Sequence, residues 1–447
     1  MELNEDQQLV FDAYLNNENI FITGAGGCGK SFIIQYIVQH TNKKVAVCAM
    51  TGCAAILLNC GATTLHRWSG IGIDYSSPDK ICRRILRNKY LLQKWTSVNL
   101  LIIDEVSMMS KQIFELMDYI AKKVRKNPRP FGGIQLICSG DFYQLAPIDK
   151  SQEVQYCFES PLWKETFDVQ IMMEIVVRQR DPKFLEVLDQ VRTGNLTPKG
   201  LKRLRRRIVD QATVQELLSV AEIKPVLLTP IKSKVCEINE RELLKLKDCE
   251  YHRYEYEFTY VKPTFTPSDD VFFNKMQEIH HKIPTPTDLK KEEEYMVKNS
   301  MFEKKLTLHV GSQVMCIANV DMEMGICNGT TGIITGFLNN QPTVRLKNNT
   351  EYTFKPHTWY SDNISGASIR QYPLILAWAI TIHKCQGSTL DRAIVDIGNS
   401  VFSEGQTYVA LSRVRSLEGL YLTSFDKNKI RVHPKVKEFY AQFEEIM

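Results

Sequence analysis

Several features that would place a protein in a special class are missing from this 447-residue sequence. No run of eighteen apolar residues occurs, which excludes an ordinary membrane-spanning helix. The twelve cysteines include no C-x-x-C pair and lie partly within apolar runs, so they indicate reduced thiols rather than a disulfide framework or a zinc site. The acidic start lacks the features of a signal or transit peptide, and we therefore expect the protein in the nucleus or the cytoplasm.

An excess of charge of one sign is also missing. The sequence has 56 lysines and arginines against 51 aspartates and glutamates, a formal net charge of +5. This small excess permits nucleic-acid binding but does not argue for it, because a groove for a polyanion needs local clustering of charge. The basic run at residues 203–207 is more typical of a solvated helix face than of a DNA contact.

What the sequence does contain is a glycine-rich loop near its start. Residues 24–31 fit G-x-x-x-x-G-K-[ST] and lie between an apolar run and a helix-like run, the context of a phosphate loop. Glycines let backbone N–H groups face phosphate oxygens, and the helix N-terminus adds a favourable dipole. Lys30 can reach the terminal phosphates, and Ser31 can hold Mg²⁺. The predicted nucleoside triphosphate site consists of Gly24, Gly26, Gly27, Cys28, Gly29, Lys30 and Ser31.

Two acidic residues end the apolar run at residues 100–103. In P-loop NTPases, an acid at the end of such a strand holds Mg²⁺, and a neighbouring polar group orients the attacking water. We therefore predict that Asp104 holds the metal and that Glu105 is the catalytic base. Gln144 follows a later strand and could sense the terminal phosphate, although a simple polar turn would also explain it.

Two arginines in later parts of the sequence could complete this site. A guanidinium group binds phosphate through two parallel hydrogen bonds and stabilises the charge that develops during phosphoryl transfer. Arg178 and Arg413 are the candidates for this catalytic role, although each by itself is more often a surface arginine. If both reach the nucleotide, ATP lies between two α/β domains, and its hydrolysis moves one domain against the other.

Residues 63–68 and 382–387 combine hydroxyl, imidazole and basic side chains. Such groups contact phosphates, and aromatic rings stack on the bases of single strands. Either histidine in these segments could instead be a packed surface residue. The candidate DNA-binding residues here are Thr64, His66, Trp68, His383 and Lys384.

The order of apolar runs predicts an α/β protein. Runs at 20–23, 45–50, 99–104 and 134–139 alternate with helical segments, which indicates a parallel sheet covered by helices on both faces. A second set lies at 226–230, 374–379, 393–397 and 419–423. Between these sets, β-like runs at 311–317 and 330–337 predict a small inserted β module. The loops after the strands of the first sheet should meet at one ligand site.

Together, these motifs resemble the Pif (petite integration frequency) family of superfamily 1B DNA helicases. The segments that carry the resemblance are 3–7, 24–31, 49–55, 61–66, 108–136, 178–194, 310–315, 378–389 and 405–415. The resemblance implies that Gln7 binds the adenine base and that Thr51 contacts the DNA strand. Residues 240–300 match the family only weakly, and we expect a motor core without the long N-terminal extension of many eukaryotic relatives.

The resemblance also implies a function and an architecture. The function is that of a monomeric motor that uses ATP and Mg²⁺ to move 5′ to 3′ on single-stranded DNA and to unwind tailed or forked duplexes in replication, repair or recombination. Some members of the family also unfold G-quadruplexes or RNA–DNA hybrids. The expected fold has two RecA-like domains, at 1–165 and at 166–245 plus 371–447. Residues 246–370 would form an SH3-like β-barrel module, and residues 66–90 a short wedge.

Three other functions share some of these motifs. A DNA-stimulated translocase that displaces proteins without net unwinding would share all of them. A small-molecule kinase would share the phosphate loop, but its ATP turnover would not respond to DNA. A non-catalytic nucleic-acid-binding protein would not need Lys30, Ser31, Asp104 and Glu105 together.

Overall fold

The structure of the chain is a computed structural model. It describes residues 3–444 except for 59, 73–74, 76, 148–154, 221–222, 263–283, 299, 322, 362–363, 365, 383 and 386. In this part of the chain, every helix is too short or too polar to cross a membrane.

The helices are α1 (Glu5–Leu15), α2 (Lys30–His40), α3 (Gly52–Leu57), α4 (Leu65–Ser69), α5 (Pro78–Arg87), α6 (Lys89–Ser97), α7 (Lys111–Arg125), α8 (Leu162–Thr166), α9 (Pro182–Thr193), α10 (Pro198–Arg205), α11 (Gln211–Val220), α12 (Lys232–Leu244), α13 (Pro286–Lys298), α14 (Gln406–Leu411) and α15 (Pro434–Glu444). The strands are β1 (Ile20–Gly24), β2 (Val45–Ala49), β3 (Thr63–Thr64), β4 (Leu100–Asp104), β5 (Gln135–Ser139), β6 (Val169–Met173), β7 (Val226–Thr229), β8 (Tyr251–Glu255), β9 (Glu257–Tyr260), β10 (Lys305–His309), β11 (Gln313–Cys316), β12 (Thr331–Leu338), β13 (Gln341–Leu346), β14 (Glu351–Thr353), β15 (His357–Tyr360), β16 (Ala367–Gln371), β17 (Leu374–Leu376), β18 (Ala379–Thr381), β19 (Ala393–Ile397) and β20 (Leu420–Phe425).

The first sheet has six parallel strands in the order β3-β2-β4-β5-β1-β6. Strands β1, β4 and β5 are buried throughout, because helices cover both faces of the sheet. Ile20 and Ile22 pack in one core with α2, and Phe21 packs in the opposite core with α7. The four predicted strands are confirmed, and their carboxyl ends lie along one edge of the sheet.

Two elements beyond residue 165 belong to this first unit. Strand β6 pairs with β1 in parallel register, from Ile20 opposite Val169 to Gly24 opposite Met173. Helix α15 places Tyr440 in the first core, where its hydroxyl forms a 2.6 Å hydrogen bond with the Thr23 hydroxyl. The predicted boundary at residue 165 is therefore corrected, because backbone pairing and core packing both continue past it.

A second, four-stranded parallel sheet has the order β18-β7-β19-β20. The run at 374–379, predicted to be a single strand of this second sheet, is divided between two sheets. Strand β17 pairs with β11 in an antiparallel sheet, and only β18 pairs with β7. The backbone passes between the two sheets at Ala377, whose N–H group donates to the Gln313 carbonyl oxygen at 2.9 Å.

The segment between these α/β parts is built from antiparallel sheets. They are a five-stranded sheet (β14-β13-β12-β11-β17), a three-stranded sheet (β15-β16-β9) and a β10-β8 pair. Strands β11 and β12 match the predicted runs at 311–317 and 330–337. We call the part formed by β8–β17 and α13 the β module; it extends past the predicted end at 370, and its description as an SH3-like barrel stays a prediction.

Most of the described residues of the predicted wedge at 66–90 are helical. The segment comprises most of α4, all of α5 and the start of α6. Ile81 and Ile85 on α5 pack into the first core beside Trp95. This segment is therefore anchored to the first sheet unit, and its role as a wedge stays a prediction.

Candidate nucleotide and DNA sites

The phosphate loop connects β1 to α2 in a conformation that requires glycine. Gly27 and Gly29 have φ angles of 97° and 94°, which side chains other than glycine rarely adopt. A Cβ atom on Gly29 would lie 2.6 Å from the Gln7 Nε2 atom, and one on Gly27 would lie 2.6 Å from the Arg178 Cβ atom. The loop is therefore enclosed by Gln7 on one side and Arg178 on the other.

Gln7 reaches this loop from the first turn of α1. Its side-chain oxygen accepts a hydrogen bond from the Asn4 N–H group at 3.1 Å, while the Asn4 side chain accepts one from the Gln7 N–H group at 2.9 Å. This reciprocal capping arrangement fixes the Gln7 side chain and leaves its amide nitrogen facing Gly29. Its contact with the adenine base stays a prediction.

A cleft of about 950 Å³ lies in front of the phosphate loop. Lys30 lies at its base, and its Nζ atom donates to the carbonyl oxygens of Gly24 at 2.7 Å and Ala25 at 3.0 Å. The predicted site residues that line the cleft are Gly26, Gly27, Gly29, Lys30, Ser31, Thr51, Asp104, Glu105, Gln144, Arg178 and Arg413. The structure therefore brings most of the predicted nucleotide residues to one place; Cys28 is fully buried behind the loop.

Asp104 and Glu105 enter the cleft from the end of β4. Glu105 has a left-handed backbone, with φ 57° and ψ 40°, which is uncommon for a residue with a side chain. Its N–H group donates to the Asp104 Oδ1 atom at 2.9 Å. Desolvation, and then the nearby Asp104, raises the pKa of Glu105 to about 7, against the opposing effect of Lys30 and Arg413. Such a pKa suits a general base at neutral pH.

Ser31 and Asp104 are both oxygen ligands of the kind that Mg²⁺ prefers. Among the described residues, no group of three or more His, Cys, Asp or Glu side chains could hold a metal ion. A Mg²⁺ ion would therefore need oxygens beyond the carboxylates of the protein, such as those of phosphate and water. The residues fit a magnesium–nucleotide site, although binding of Mg²⁺ stays a prediction.

Arg413 approaches the same loop from the side of the second sheet, whereas Arg178 lies between β6 and α9 and its backbone N–H group donates to the Gly27 carbonyl oxygen at 3.3 Å. A Cβ atom on Gly26 would lie 3.2 Å from the Arg413 Nη2 atom, which donates to the Ser412 hydroxyl at 2.7 Å. Arg178 donates to the Ser412 carbonyl oxygen at 3.3 Å. Burial, and then the neighbouring Arg413, lowers the pKa of Arg178 to about 9, and burial lowers the pKa of Arg413.

Neither arginine forms an ion pair among the described residues. Arg413 lowers the pKa of Arg178, and two buried guanidinium groups that lack an ion-pair partner in the described part of the chain create a site that favours an anion. A terminal phosphate bound at Gly26 and Lys30 would lie beside both of them.

Sequence reasoning gave no role to a group of buried residues behind this site. Asp141 receives two hydrogen bonds from Arg192 of α9, at 3.0 and 3.1 Å. It also accepts a 3.4 Å bond from the Gln144 side chain, and so links the predicted sensor to α9. The Tyr408 hydroxyl accepts a hydrogen bond from the Gly26 N–H group at 2.8 Å. No short motif connects Asp141 with Arg192 or Gly26 with Tyr408, because the partners of these two pairs are distant in sequence.

The residues predicted to bind DNA separate into different environments. Thr64 lines a second cavity of about 370 Å³, between α4 and the β module, whereas Thr51 lines the nucleotide cleft. The His66 ring contacts the Tyr75 hydroxyl, and burial lowers the pKa of His66. Lys384 pairs with Glu303 at 3.5 Å. His383 lies outside the described residues.

The prediction that Trp68 stacks on DNA bases is wrong for this structure. Its side chain is 6% exposed and lies in the first core, with its ring centroid 4.8 Å from that of Trp95. A ring enclosed in this way packs the protein interior and does not present a face to a base.

The family of the chain follows from comparison with known proteins. Residues 2–200 match a family model described as PIF1-like helicase, and residues 294–337 match one for the 2B domain of DNA helicase Pif1. The ATP-dependent DNA helicase Pif1 of Bdellovibrio bacteriovorus is 31% identical over 449 residues, which cover 99% of this chain and 93% of that protein. The chain belongs to the PIF1-like helicase family. The ATP-dependent DNA helicase PIF1 of Xenopus laevis is 33% identical, and this chain spans 65% of its length.

Solved structures of other PIF1-like helicases have the same fold. The Pif1 helicase of Candida albicans aligns with a TM-score of 0.76 at 32% identity, over 99% of this chain and 100% of that one. The Bacteroides Pif1 complex with ADP-AlF4 gives 0.78 and the complex with single-stranded DNA gives 0.65, each at 29% identity over 100% of this chain and 98% of that one. These likenesses support a RecA-like helicase fold.

Proposed function

We propose that this PIF1-like protein is an ATP-driven DNA helicase that moves 5′ to 3′ along a single strand and separates the duplex ahead of it. One observation carries the proposal. Arg178 and Arg413, from beyond the first five strands, reach the phosphate loop and leave an anion site between the two α/β parts. A site that needs both parts is suited to converting ATP binding and release into relative motion.

Each cleft residue has a proposed role. The loop amides and Lys30 bind the phosphates, Ser31 and Asp104 hold Mg²⁺, and Glu105 accepts a proton from the attacking water. Gln144 senses the terminal phosphate and passes its state to α9 through Asp141. The Bacteroides relative in complex with ADP-AlF4 supports the use of ATP at this cleft.

We propose that the single strand follows the second cavity, between α4 and the β module. Its lining includes Thr63 and Thr64 on one side and Trp359 and Tyr360 on the other. Hydroxyl groups next to aromatic rings can contact a sugar–phosphate backbone and stack on bases without reading the sequence. The Bacteroides relative in complex with single-stranded DNA supports such a substrate. Tailed and forked duplexes are the proposed substrates, with G-quadruplexes and RNA–DNA hybrids as further candidates, and the motor acts as a monomer.

The test combines ATP hydrolysis with duplex unwinding. Hydrolysis is measured with and without an oligothymidylate, and unwinding is measured on two partial duplexes that differ only in whether the tail is 5′ or 3′. The proposal expects DNA-stimulated hydrolysis and opening of the 5′-tailed duplex alone. Stimulated hydrolysis with neither duplex opened would favour the protein-displacing translocase. Hydrolysis that does not respond to DNA, or a preference for the 3′ tail, would contradict the proposal.

A further inference from the structure

The first sheet unit and the β module are joined by an ion pair that nucleotide chemistry does not explain. Arg67 on α4 donates to the Glu292 Oε1 atom on α13 at 2.8 Å, and the two side chains are only 11% and 7% exposed. The Ser361 hydroxyl donates to the same oxygen at 2.8 Å and accepts from Arg67 at 3.3 Å. The carboxylate of Glu292 is therefore held by groups from both sides of the junction.

The arginine of this pair lies where the proposed DNA path runs. Arg67 follows Thr64 by three residues, and both line the 370 Å³ cavity. The Arg67 guanidinium lies 5.3 Å from the centre of the Tyr295 ring, and the Tyr295 hydroxyl is 3.3 Å from that of Thr64. Across the cavity, Tyr360 is 74% exposed. The cavity thus contains aromatic surface for bases and one cation that is neutralised from within the protein.

A phosphate group can replace Glu292 as the partner of this arginine. Guanidinium groups bind carboxylates and phosphates through the same two-pronged hydrogen-bond geometry, so the two anions compete for one donor face. Separating a buried pair is unfavourable when nothing replaces the lost partner, but a backbone phosphate would supply the replacement. Glu292 would then move away from α4 together with α13.

We propose that Arg67 is a phosphate-binding residue of the DNA channel and that Glu292 masks it until a strand enters. The inference rests on the proposed function, because it requires a nucleic-acid strand in this cavity. It makes the ion pair an autoinhibitory contact: a weakly bound strand must displace Glu292 before Arg67 contributes to affinity.

The decisive variant is Glu292→Gln, which keeps the shape and hydrogen-bonding capacity of the side chain but removes its charge. Affinity for a fluorescent oligothymidylate is measured by anisotropy without nucleotide. It should tighten about three- to tenfold, because the strand no longer has to displace the Glu292 carboxylate from Arg67. Glu294→Gln is the matched control: it removes the same charge from an exposed position of the same helix. If both variants tighten binding equally, general electrostatics explain the effect and the inference is wrong.

The salt dependence of binding gives a second readout. In Glu292→Gln, the slope of log affinity against log salt should steepen by up to about 0.7, because no carboxylate is released to take up a counterion when Arg67 binds a phosphate. Adding Arg67→Gln to this variant should remove both the steeper slope and the gain in affinity. If Glu292→Gln unfolds, Ser361→Ala provides the test, because it weakens the hold on Glu292 without changing any charge and should also tighten binding.

The outcomes separate this inference from the proposed function. If wild-type protein binds the oligonucleotide and neither Glu292→Gln nor Ser361→Ala tightens binding, the masking of Arg67 is refuted and the helicase proposal stands. If wild-type protein does not bind the oligonucleotide at all, the helicase proposal fails, and the inference that depends on it fails with it.

Discussion

Glu105 should destabilise the ligand-free protein at alkaline pH, and its replacement by glutamine should relieve this effect. Desolvation, and then the adjacent Asp104, raises the pKa of Glu105 from 4.5 to about 7. The folded state therefore prefers the protonated carboxyl group. The stability that this group contributes is fully present below about pH 4.5 and is lost as the pH rises through about 7. Glutamine resembles the protonated form and cannot ionise.

The size of this effect on stability follows from how far the pKa of Glu105 is raised. Because each unit by which the pKa of Glu105 is raised corresponds to about 1.4 kcal/mol, ionised Glu105 costs at most about 3–4 kcal/mol at pH 8. Thermal unfolding without nucleotide or divalent cation should therefore show Glu105→Gln as the more stable protein at pH 8, with the difference shrinking towards pH 5. Glu351→Gln, at an exposed position of β14, is the control and should change little. The same Glu105→Gln protein should bind ATP and fail to hydrolyse it.

Two results would refute this reasoning. A Glu105→Gln protein that is less stable than wild type at pH 8 would mean that the carboxylate makes a net favourable contact in the ligand-free cleft. Normal ATP hydrolysis by this variant would remove Glu105 from its proposed role as the catalytic base.

Other predictions concern buried groups around the same sites. Asp141→Asn should lower the free energy of unfolding by about 3 kcal/mol or more, because it leaves Arg192 with a buried and uncompensated charge; an unchanged unfolding midpoint would contradict this. Trp68→Ala should cost about 3–5 kcal/mol, as expected for a large core side chain, and should weaken DNA binding only as far as it unfolds the protein. Selective loss of DNA binding by a fully folded Trp68→Ala protein would restore the stacking role. Gly29→Ala should weaken binding of a fluorescent ATP analogue, since its Cβ atom would lie 2.6 Å from the Gln7 side chain; unchanged affinity would show that the loop adapts.

Local sequence patterns were sufficient to predict the parts of the site that are formed by residues close together in the sequence. The phosphate loop and the Asp104–Glu105 pair each follow a short apolar strand, and parallel strands bring their carboxyl ends to one edge. The alternation of Ile20, Phe21 and Ile22 between two cores is likewise the ordinary consequence of strand geometry. These parts of the site could therefore be predicted before the fold was known.

The sequence was less informative where contacts join distant segments. Strand β6 completes the first sheet, and α15 returns to the same core, although both lie beyond the predicted boundary. The ion pair between Asp141 and Arg192 spans 51 residues and has no motif of its own. Trp68 shows the opposite problem: a tryptophan beside histidine and arginine suits either a base-stacking surface or a core, and only the packing against Trp95 distinguishes them.

The central claim is that one ATP site between the two α/β parts is completed by Arg178 and Arg413 and is coupled to DNA. Its most direct test is ATP hydrolysis at increasing concentrations of single-stranded DNA for wild type, Arg413→Ala and the exposed control Arg392→Ala. Removal of a phosphate-binding arginine should reduce DNA-stimulated turnover about a thousandfold or more while DNA binding persists, and the control should behave as wild type. Normal DNA-stimulated turnover by Arg413→Ala would contradict the account.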